Sequence, residues 1–457
     1  MAKKIAYKLE GRKKTSEAFS FLAKIVEANY GPSKKKILAN PSPNRPLIIE
    51  DVEEALKLIQ VQDKLENTAI KSLLEAALKT KSETGGGLST TIILAQVIFE
   101  EGLKQIALGT DSIQLKKELD SQVLRIEKKL KELAIPVKTK EDALKIAKTV
   151  SKNNKKVTSL ISQAIDLVGE KGLISVEKTN NCDSTVFLKE GFYLPRGYLS
   201  PYFITDPKMM LSILETPRVF ITDKKLTTAQ EIVAILKLLP KKESSLFIVA
   251  AGLEKEALET VVLNNVKREF NICAIKTLQE KELLLDLATF SGSTICSSEA
   301  GDSLDKLDEK HLGRVKHIQV MSDRTMIIGE NEPEKKSFMR KVALIKIGGK
   351  TQFEITNEKI LIEKALKAIY VAQQDGMVSG GGNGFIQALN SLERTSCALN
   401  VLQKALQRPS EIISKLVRES KNPYLDDVFD PVNMSVKALQ NAVSIASLLL
   451  SAEVIVI

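Results

Sequence analysis

The stretch Gly191-Phe-Tyr-Leu-Pro-Arg-Gly-Tyr-Leu-Ser-Pro-Tyr-Phe-Ile204 concentrates aromatic side chains as no other part of this chain does. Phe192, Tyr193, Tyr198, Tyr202 and Phe203 all fall here, in a sequence with only seven tyrosines, fourteen phenylalanines and no tryptophan. Gly191, Gly197, Pro195 and Pro201 rule out a regular helix through it. From composition alone the segment is either a packed core loop or an apolar contact surface, and the packed loop is the ordinary reading.

Outward from this stretch the pattern differs on the two sides. Toward the N-terminus, from about residue 15 to 132, apolar residues recur at helical spacing, notably in Lys64 to Lys81, Ser89 to Leu108 and Ile113 to Leu133. Asp111 and Ser112 are good starting residues for the third helix. Toward the C-terminus short apolar runs alternate with helical ones. Arg218 to Asp223, Leu246 to Ala250, Asn271 to Lys276 and Ser293 to Cys296 read as strands. Helices are expected through Leu239, from Glu254 to Val266 and up to Thr289. That alternation predicts a small α/β domain with a largely parallel sheet. Helices return past residue 360, ending in one from Met434 to Ser451 and a strand from Glu453 to Ile457. A helical start, an α/β middle and a helical end suggest an inserted middle, with both ends of the chain building one discontinuous domain.

Composition narrows the function classes. The 457 residues can bury several cores, so two or three domains are expected. No stretch approaches the ~18 uninterrupted apolar residues of a membrane span, and the start lacks an apolar secretion core. Cys182, Cys273, Cys296 and Cys397 are widely separated and suit reduced, buried thiols in a cytoplasmic protein. With only His311 and His317, zinc sites and Ser-His-Asp triads are not expected, and no metal site is assigned. The net charge of +10 admits an acidic partner. The basic runs at Lys34-Lys35-Lys36, Lys155-Lys156 and Lys241-Lys242 lack interleaved aromatics, however, and read as solvated surface rather than a nucleic-acid interface.

Arg196-Gly-Tyr-Leu-Ser-Pro-Tyr-Phe-Ile204 resembles the start of the apical domain of bacterial, GroEL-type chaperonins. The similarity extends along nearly the whole chain. Gly31-Pro32 matches the family's phosphate-loop turn, and Thr90, Leu94, Ala95 and Gln96 match the helix after its Asp-Gly-Thr-Thr-Thr motif. Val168-Gly169, Gly172, Ile174, Val176 and Glu177 match a further run; Gly380-Gly381-Gly382 and Asp430-Pro431 match turns near phosphate and ribose. The resemblance implies an α+β multidomain chaperonin fold. Its parts would be a helical discontinuous equatorial domain (1–132 and 375–457), a small intermediate hinge domain (133–190 and 342–374) and an inserted α/β apical domain (191–341). It also implies ATP as cofactor, non-native polypeptides as partners, stacked rings, homomeric or mixed, and a lid co-chaperonin of the GroES type, with neither nucleic acid nor membrane.

Carried over by position, the nucleotide-binding residues are Asn29, Tyr30, Gly31, Pro32, Gly86, Gly87, Leu88, Ser89, Thr90, Gly381 and Asp430. The glycine turns survive, but the carboxylates largely do not. The family's aspartate in Asp-Gly-Thr-Thr-Thr falls on Gly86, and its second catalytic aspartate on Lys364 in Ile362-Glu-Lys-Ala-Leu366. Asp51 keeps a carboxylate, whereas Glu50 replaces a phosphate-facing lysine. Losing a positioned base alone costs ~10²–10⁴ in rate, and losing a metal carboxylate adds to that. Mg-ATP hydrolysis is therefore expected to be severely impaired or absent, with ATP binding without turnover left open.

The apolar client surface implied by the resemblance consists of Tyr198, Tyr202, Phe203, Val233, Leu236, Leu258, Val262 and Leu263. By helical spacing alone the last five are ordinary core stripes. Gly191 keeps one family hinge, and Arg340-Lys341 replaces the other. The family's apical Gly-Phe-Gly turn is Leu278-Gln279-Glu280, and the stretch from about Ile328 to Val342 is shortened. Two functions remain in view: a chaperonin-like protein that assists folding, and a non-folding scaffold or regulator that uses the same groove for one partner or mixes into rings.

Overall fold

The computed structural model describes residues 5–31, 37–39, 47–49, 52–169, 172–179, 181–194, 196–206, 210–239, 245–267, 269–276, 281–297, 307–322, 324–328, 339–392, 396–420 and 428–456. Two compact units emerge. One joins Met1–Ser162 to Lys350–Ile457, and the other is Gln163–Gly349. The middle is thus inserted into a unit built from both ends of the chain, as the change of pattern along the sequence implies.

The first unit is helical. Helices Lys8–Ala28, Lys64–Thr84, Leu88–Ala107, Ser112–Glu132, Cys397–Ser420 and Val432–Ser451 share one core. Leu88–Ala107 lies at its centre. Ile92, Ile93, Leu94, Ala95, Ile98 and Phe99 are all fully buried, so this helix is covered on nearly every side. Phe99 meets Phe19 of the first helix at 5.2 Å between ring centres. The helix starts are chemically marked. Asp63 accepts from the amides of Leu65 and Glu66, and Asp111 accepts from Gln114 N–H at 2.8 Å. These bonds satisfy amides that have no partner within the helix. Strands Ile5–Tyr7 and Val454–Val456 pair antiparallel, Ile5 opposite Val456. Strands Ile37–Ala39 and Leu47–Ile49 form a second antiparallel pair.

The second unit holds two larger sheets and, among the described residues, one two-stranded parallel pair, Lys225–Leu226 with Gly252–Leu253. A four-stranded one runs in the order Asn271–Lys276, Ser245–Ala250, Arg218–Ile221, Leu312–Arg314. The first three strands are parallel and the last is antiparallel. Helices Ala229–Lys237, Lys255–Lys267 and Lys281–Ser291 belong to the same unit. Leu246 to Ala250 is buried throughout, the mark of a parallel strand covered on both faces. A six-stranded sheet runs Leu173–Lys178, Met339–Ile347, Thr185–Leu194, Thr325–Ile328, His317–Val320, Ser212–Glu215.

Two expectations, one for a strand and one for the cysteines, need correction. Ser293 to Cys296 is not a strand: Cys296 makes a single bridge to Thr222, whose hydroxyl donates to the Cys296 carbonyl at 2.7 Å. Cys273 and Cys296 are buried, but Cys182 and Cys397 are exposed. Gly191 lies inside the Thr185–Leu194 strand, opposite Arg340. A Cβ there would come within 3.0 Å of Val342 Cγ2 and 3.2 Å of the Ile327 carbonyl. Glycine is needed at this position for close packing inside a sheet. Leu278-Gln279-Glu280 lies outside the described residues. Among the described residues no helix is long and apolar enough to cross a membrane.

Candidate functional site

A cavity of about 180 Å³ opens in the first unit. Tyr30, Gly31, Thr90, Gly381 and Asp430, all expected from the sequence, line it. The fold brings them together from four segments. Tyr30 and Gly31 follow the first helix, and Thr90 stands in the first turn of Leu88–Ala107. Gly381 follows the strand Met377–Ser379, and Asp430 lies within its partner Phe429–Pro431, opposite Val378. The Tyr30 hydroxyl and Thr90 Oγ1 are 3.0 Å apart, and burial raises the Tyr30 hydroxyl above its ordinary titration range.

Two helix starts adjoin the lining residues Thr90 and Gly381. Leu88–Ala107 begins at Gly87 and Asn383–Asn390 begins at Gly382, both in left-handed conformation and both without a side-chain cap. No side chain takes up their first-turn amides, although Asn383 N–H donates to the Gly380 carbonyl at 3.2 Å, and each start is a positive dipole end. Gly381, with φ of +66°, donates its N–H to Asp430 Oδ2 at 3.2 Å. Burial pushes the Asp430 carboxyl up to about 6, and the Gly381 amide only partly offsets this.

Several lining residues have no counterpart in the sequence-based set: Thr149, Val150, Lys152, Ile413, Val417, Val428 and Met434. Lys152 stands out because its φ is +50°, followed by Asn153 at +56°. Its ammonium donates to Asn29 Oδ1 at 2.8 Å and to the Asn29 carbonyl at 3.2 Å. Asn29 is thereby tied to the cavity through Lys152. The Ser151-Lys-Asn-Asn154 turn ahead of a helix was the only signal in the sequence, and it was a weak one.

The degenerate positions sit differently. Gly86 packs against Met434, and a Cβ on Gly86 would lie 2.6 Å from the Met434 sulfur. Leu88 is buried in the core and Ser89 is half-buried, neither lining the cavity. Lys364 lies half-buried on the Gln352–Asp375 helix and does not line the cavity either. Its neighbour Glu363 sits 3.5 Å from Lys359. The same helix reaches the glycine turn through Lys367, whose ammonium donates to the Ser82 carbonyl at 2.5 Å. Pro32 and Asp51 lie outside the described residues. Among the described residues no group of three His, Cys, Asp or Glu side chains is placed to hold a metal.

A second candidate surface lies on the inserted unit. Tyr202 is 71%, Leu263 57% and Val233 41% exposed. The helices carrying Val233 and Leu263 touch, and the Pro201–Phe203 turn touches the second of them. Val266, at 67%, extends the strip and is absent from the sequence-based set. Tyr198, Leu236, Leu258 and Val262 are partly buried and packed against the core. Phe203, expected at the surface, is 1% exposed. The turn that exposes Tyr202 directs its neighbour inward, and Ser200 caps that turn through the Tyr202 amide.

The family model for TCP-1/cpn60 chaperonins matches residues 22–416. The chain belongs to the TCP-1/cpn60 chaperonin family. This chaperonin is also 32% identical to the chaperonin GroEL of Carsonella ruddii (strain PV), over 99% of its own length and 98% of that protein's. Its fold is similar to two crystal forms of the chaperonin gp146 from the bacteriophage EL 2 (Pseudomonas aeruginosa). The TM-scores are 0.68 and 0.64 at 16% identity, each over 99% of both chains. The α+β chaperonin fold expected from the aromatic stretch is therefore present. Like its family, the chaperonin belongs to a nucleotide-dependent class of proteins that assist the folding of other polypeptides.

Proposed function

We propose that this chaperonin binds non-native polypeptides at the strip of Tyr202, Val233 and Leu263, and binds a nucleotide through its phosphates in the Gly31–Gly381 cavity with little or no hydrolysis. The exposed strip carries the reading. Apolar side chains exposed together on touching elements mark a binding site, and aromatic and aliphatic anchors suit chains that expose their own apolar side chains. The flanking Leu236, Leu258 and Val262 give the strip a firm base. The equatorial, intermediate and apical division at the stated boundaries, and docking of a GroES-like lid, rest on the resemblance alone.

At the cavity, the donors present fit a phosphate: uncapped helix starts, glycine turns and the Lys152 ammonium. The volume is below the ~300–1,000 Å³ of most ligand pockets, so it suits the phosphate end and leaves the base to the adjoining surface. Among the described residues the donors do not fit Mg²⁺. That ion wants oxygen ligands in octahedral array, and beside Gly86 the structure offers a thioether.

Ring assembly has its own support. The three two-stranded sheets of the first unit, among them Ile37–Ala39 with Leu47–Ile49, keep open edges among the described residues. Such pairs are marginal alone and tend to add strands from another chain.

Light scattering of a chemically denatured client, diluted into buffer with the full chain, tests the reading. The parent should suppress aggregation, and the Tyr202→Ser, Val233→Ser, Leu263→Ser triple variant should not. Failure of the folded parent to suppress any of several unrelated clients would favour a single-partner scaffold. Phosphate release with Mg-ATP should stay at background, and steady turnover at an ordinary ATPase rate would remove the impaired-hydrolysis part.

A further inference from the structure

We infer that Lys152 takes the place of a divalent cation in this cavity, so that a nucleotide is held by its phosphates without Mg²⁺. The inference rests on the nucleotide reading above and deepens it. Its first support is conformational. A left-handed backbone is uncommon for residues other than glycine, asparagine and aspartate. Asn153 suits its φ of +56°, but a lysine at +50° does not suit its own. Strain of this kind persists where the surroundings hold the residue in place, and it gathers at functional positions.

The second support is position. Lys152 lines the cavity with Gly31 and Gly381. Two bonds from its ammonium to Asn29, at 2.8 and 3.2 Å, fix where the charge sits. Asn29 is buried and directly precedes the Tyr30-Gly31 turn. The charge is therefore anchored to the segment that a phosphate would lie against. A lysine ammonium serves as a point charge for phosphate.

The third support is the donor set. Asp430 is the only carboxylate among the described lining residues, and it already accepts from the Gly381 amide. The Met434 sulfur crowds the position from which a carboxylate on residue 86 would act. Magnesium held by protein generally relies on one or two carboxylates together with substrate phosphates. A fixed monovalent cation beside uncapped helix starts does the same charge neutralisation without them.

The test is calorimetric titration of the full chain with ATP, once in excess Mg²⁺ and once in excess EDTA. Affinity should agree within about threefold between the two conditions, because the anchoring charge belongs to the protein. Lys152→Met should weaken binding in EDTA by about ten- to a hundredfold, the range for one charge-assisted phosphate contact. Lys152→Arg should retain most of it. Lys152→Gly guards against misfolding: glycine accepts this φ readily, which offsets the lost bonds to Asn29, so the unliganded protein should melt close to the parent while binding is lost. Binding that requires Mg²⁺ would overturn the inference and leave the nucleotide reading intact, pointing to Asp51 as the metal's anchor. Metal-independent binding unchanged by Lys152→Met and Lys152→Gly would overturn the role of Lys152. No binding in either condition would overturn both readings.

Discussion

Met434 determines what a single change at Gly86 can achieve. Any side chain on residue 86 meets the Met434 sulfur 2.6 Å from its Cβ, and overpacking of this kind typically costs ~1–3 kcal/mol. Gly86→Asp alone should therefore lower stability in urea denaturation by that order, and Gly86→Asp with Met434→Ala should recover a large part of it. An equal loss in both variants would show that burying the carboxylate, and not the clash, is responsible. Asp430 makes a pH-dependent contribution. Its native carboxyl titrates near 6, raised by burial, against about 4 in the unfolded chain. Between these values the native state holds a proton that the unfolded state has released. Stability should therefore fall as pH rises from about 4 to about 6 and level off above. Asp430→Asn should flatten that part of the urea-midpoint profile; a profile identical to the parent's would contradict the buried-carboxyl account.

At the scale of elements, the helix that carries Val233 depends on its first turn. Thr228 caps it, and Glu231 reaches back to the amides of Thr227 and Thr228 at 2.6 and 2.9 Å. Removing the cap by Thr228→Ala should cost about 1 kcal/mol. Faster amide hydrogen exchange confined to residues 229–232, with weaker suppression of client aggregation, would check it. Caps of this type made the helices legible in the sequence: Asp111 ahead of Ser112–Glu132 is where the structure starts that helix. The strands Arg218–Ile221, Ser245–Ala250 and Asn271–Lys276 were legible because continuous apolar runs admit few other readings. Ser293 to Cys296 was not. Its short apolar run signals burial, and burial is met by one bridge to Thr222 without a ladder.

At the scale of the molecule, the open two-stranded sheets predict association. Leu38 is 73% exposed on the Ile37–Ala39 strand, and Leu38→Glu should shift the protein to a smaller species in sedimentation velocity without lowering its melting temperature sharply. An unchanged assembly would exclude this face from the contact. The aromatic stretch was enough to read the fold, because its wording is long and unusual. The site was only half legible. Gly31, Gly381 and Asp430 stand in turns whose composition shows in one dimension. Lys152 and Met434 reach the cavity only through packing between segments hundreds of residues apart in part, Met434 lying against Gly86 and Gly87. Phe203 was misassigned for a related reason: adjacent residues in a tight turn point to opposite sides, and wording does not reveal which faces out.

The pairing of Ile5–Tyr7 with Val454–Val456 places the two chain ends at the same end of one short ladder. A load applied between them peels that ladder one pair at a time, Ile5 from Val456 first, because the bonds are not strained together. Tension then passes directly to the Lys8–Ala28 and Val432–Ser451 helices. The Gln163–Gly349 unit, inserted far from either end in the chain, carries no force until the unit whose sequence it interrupts has begun to unravel. Under traction the strip of Tyr202, Val233 and Leu263 would thus outlast the cavity at Gly31 and Gly381.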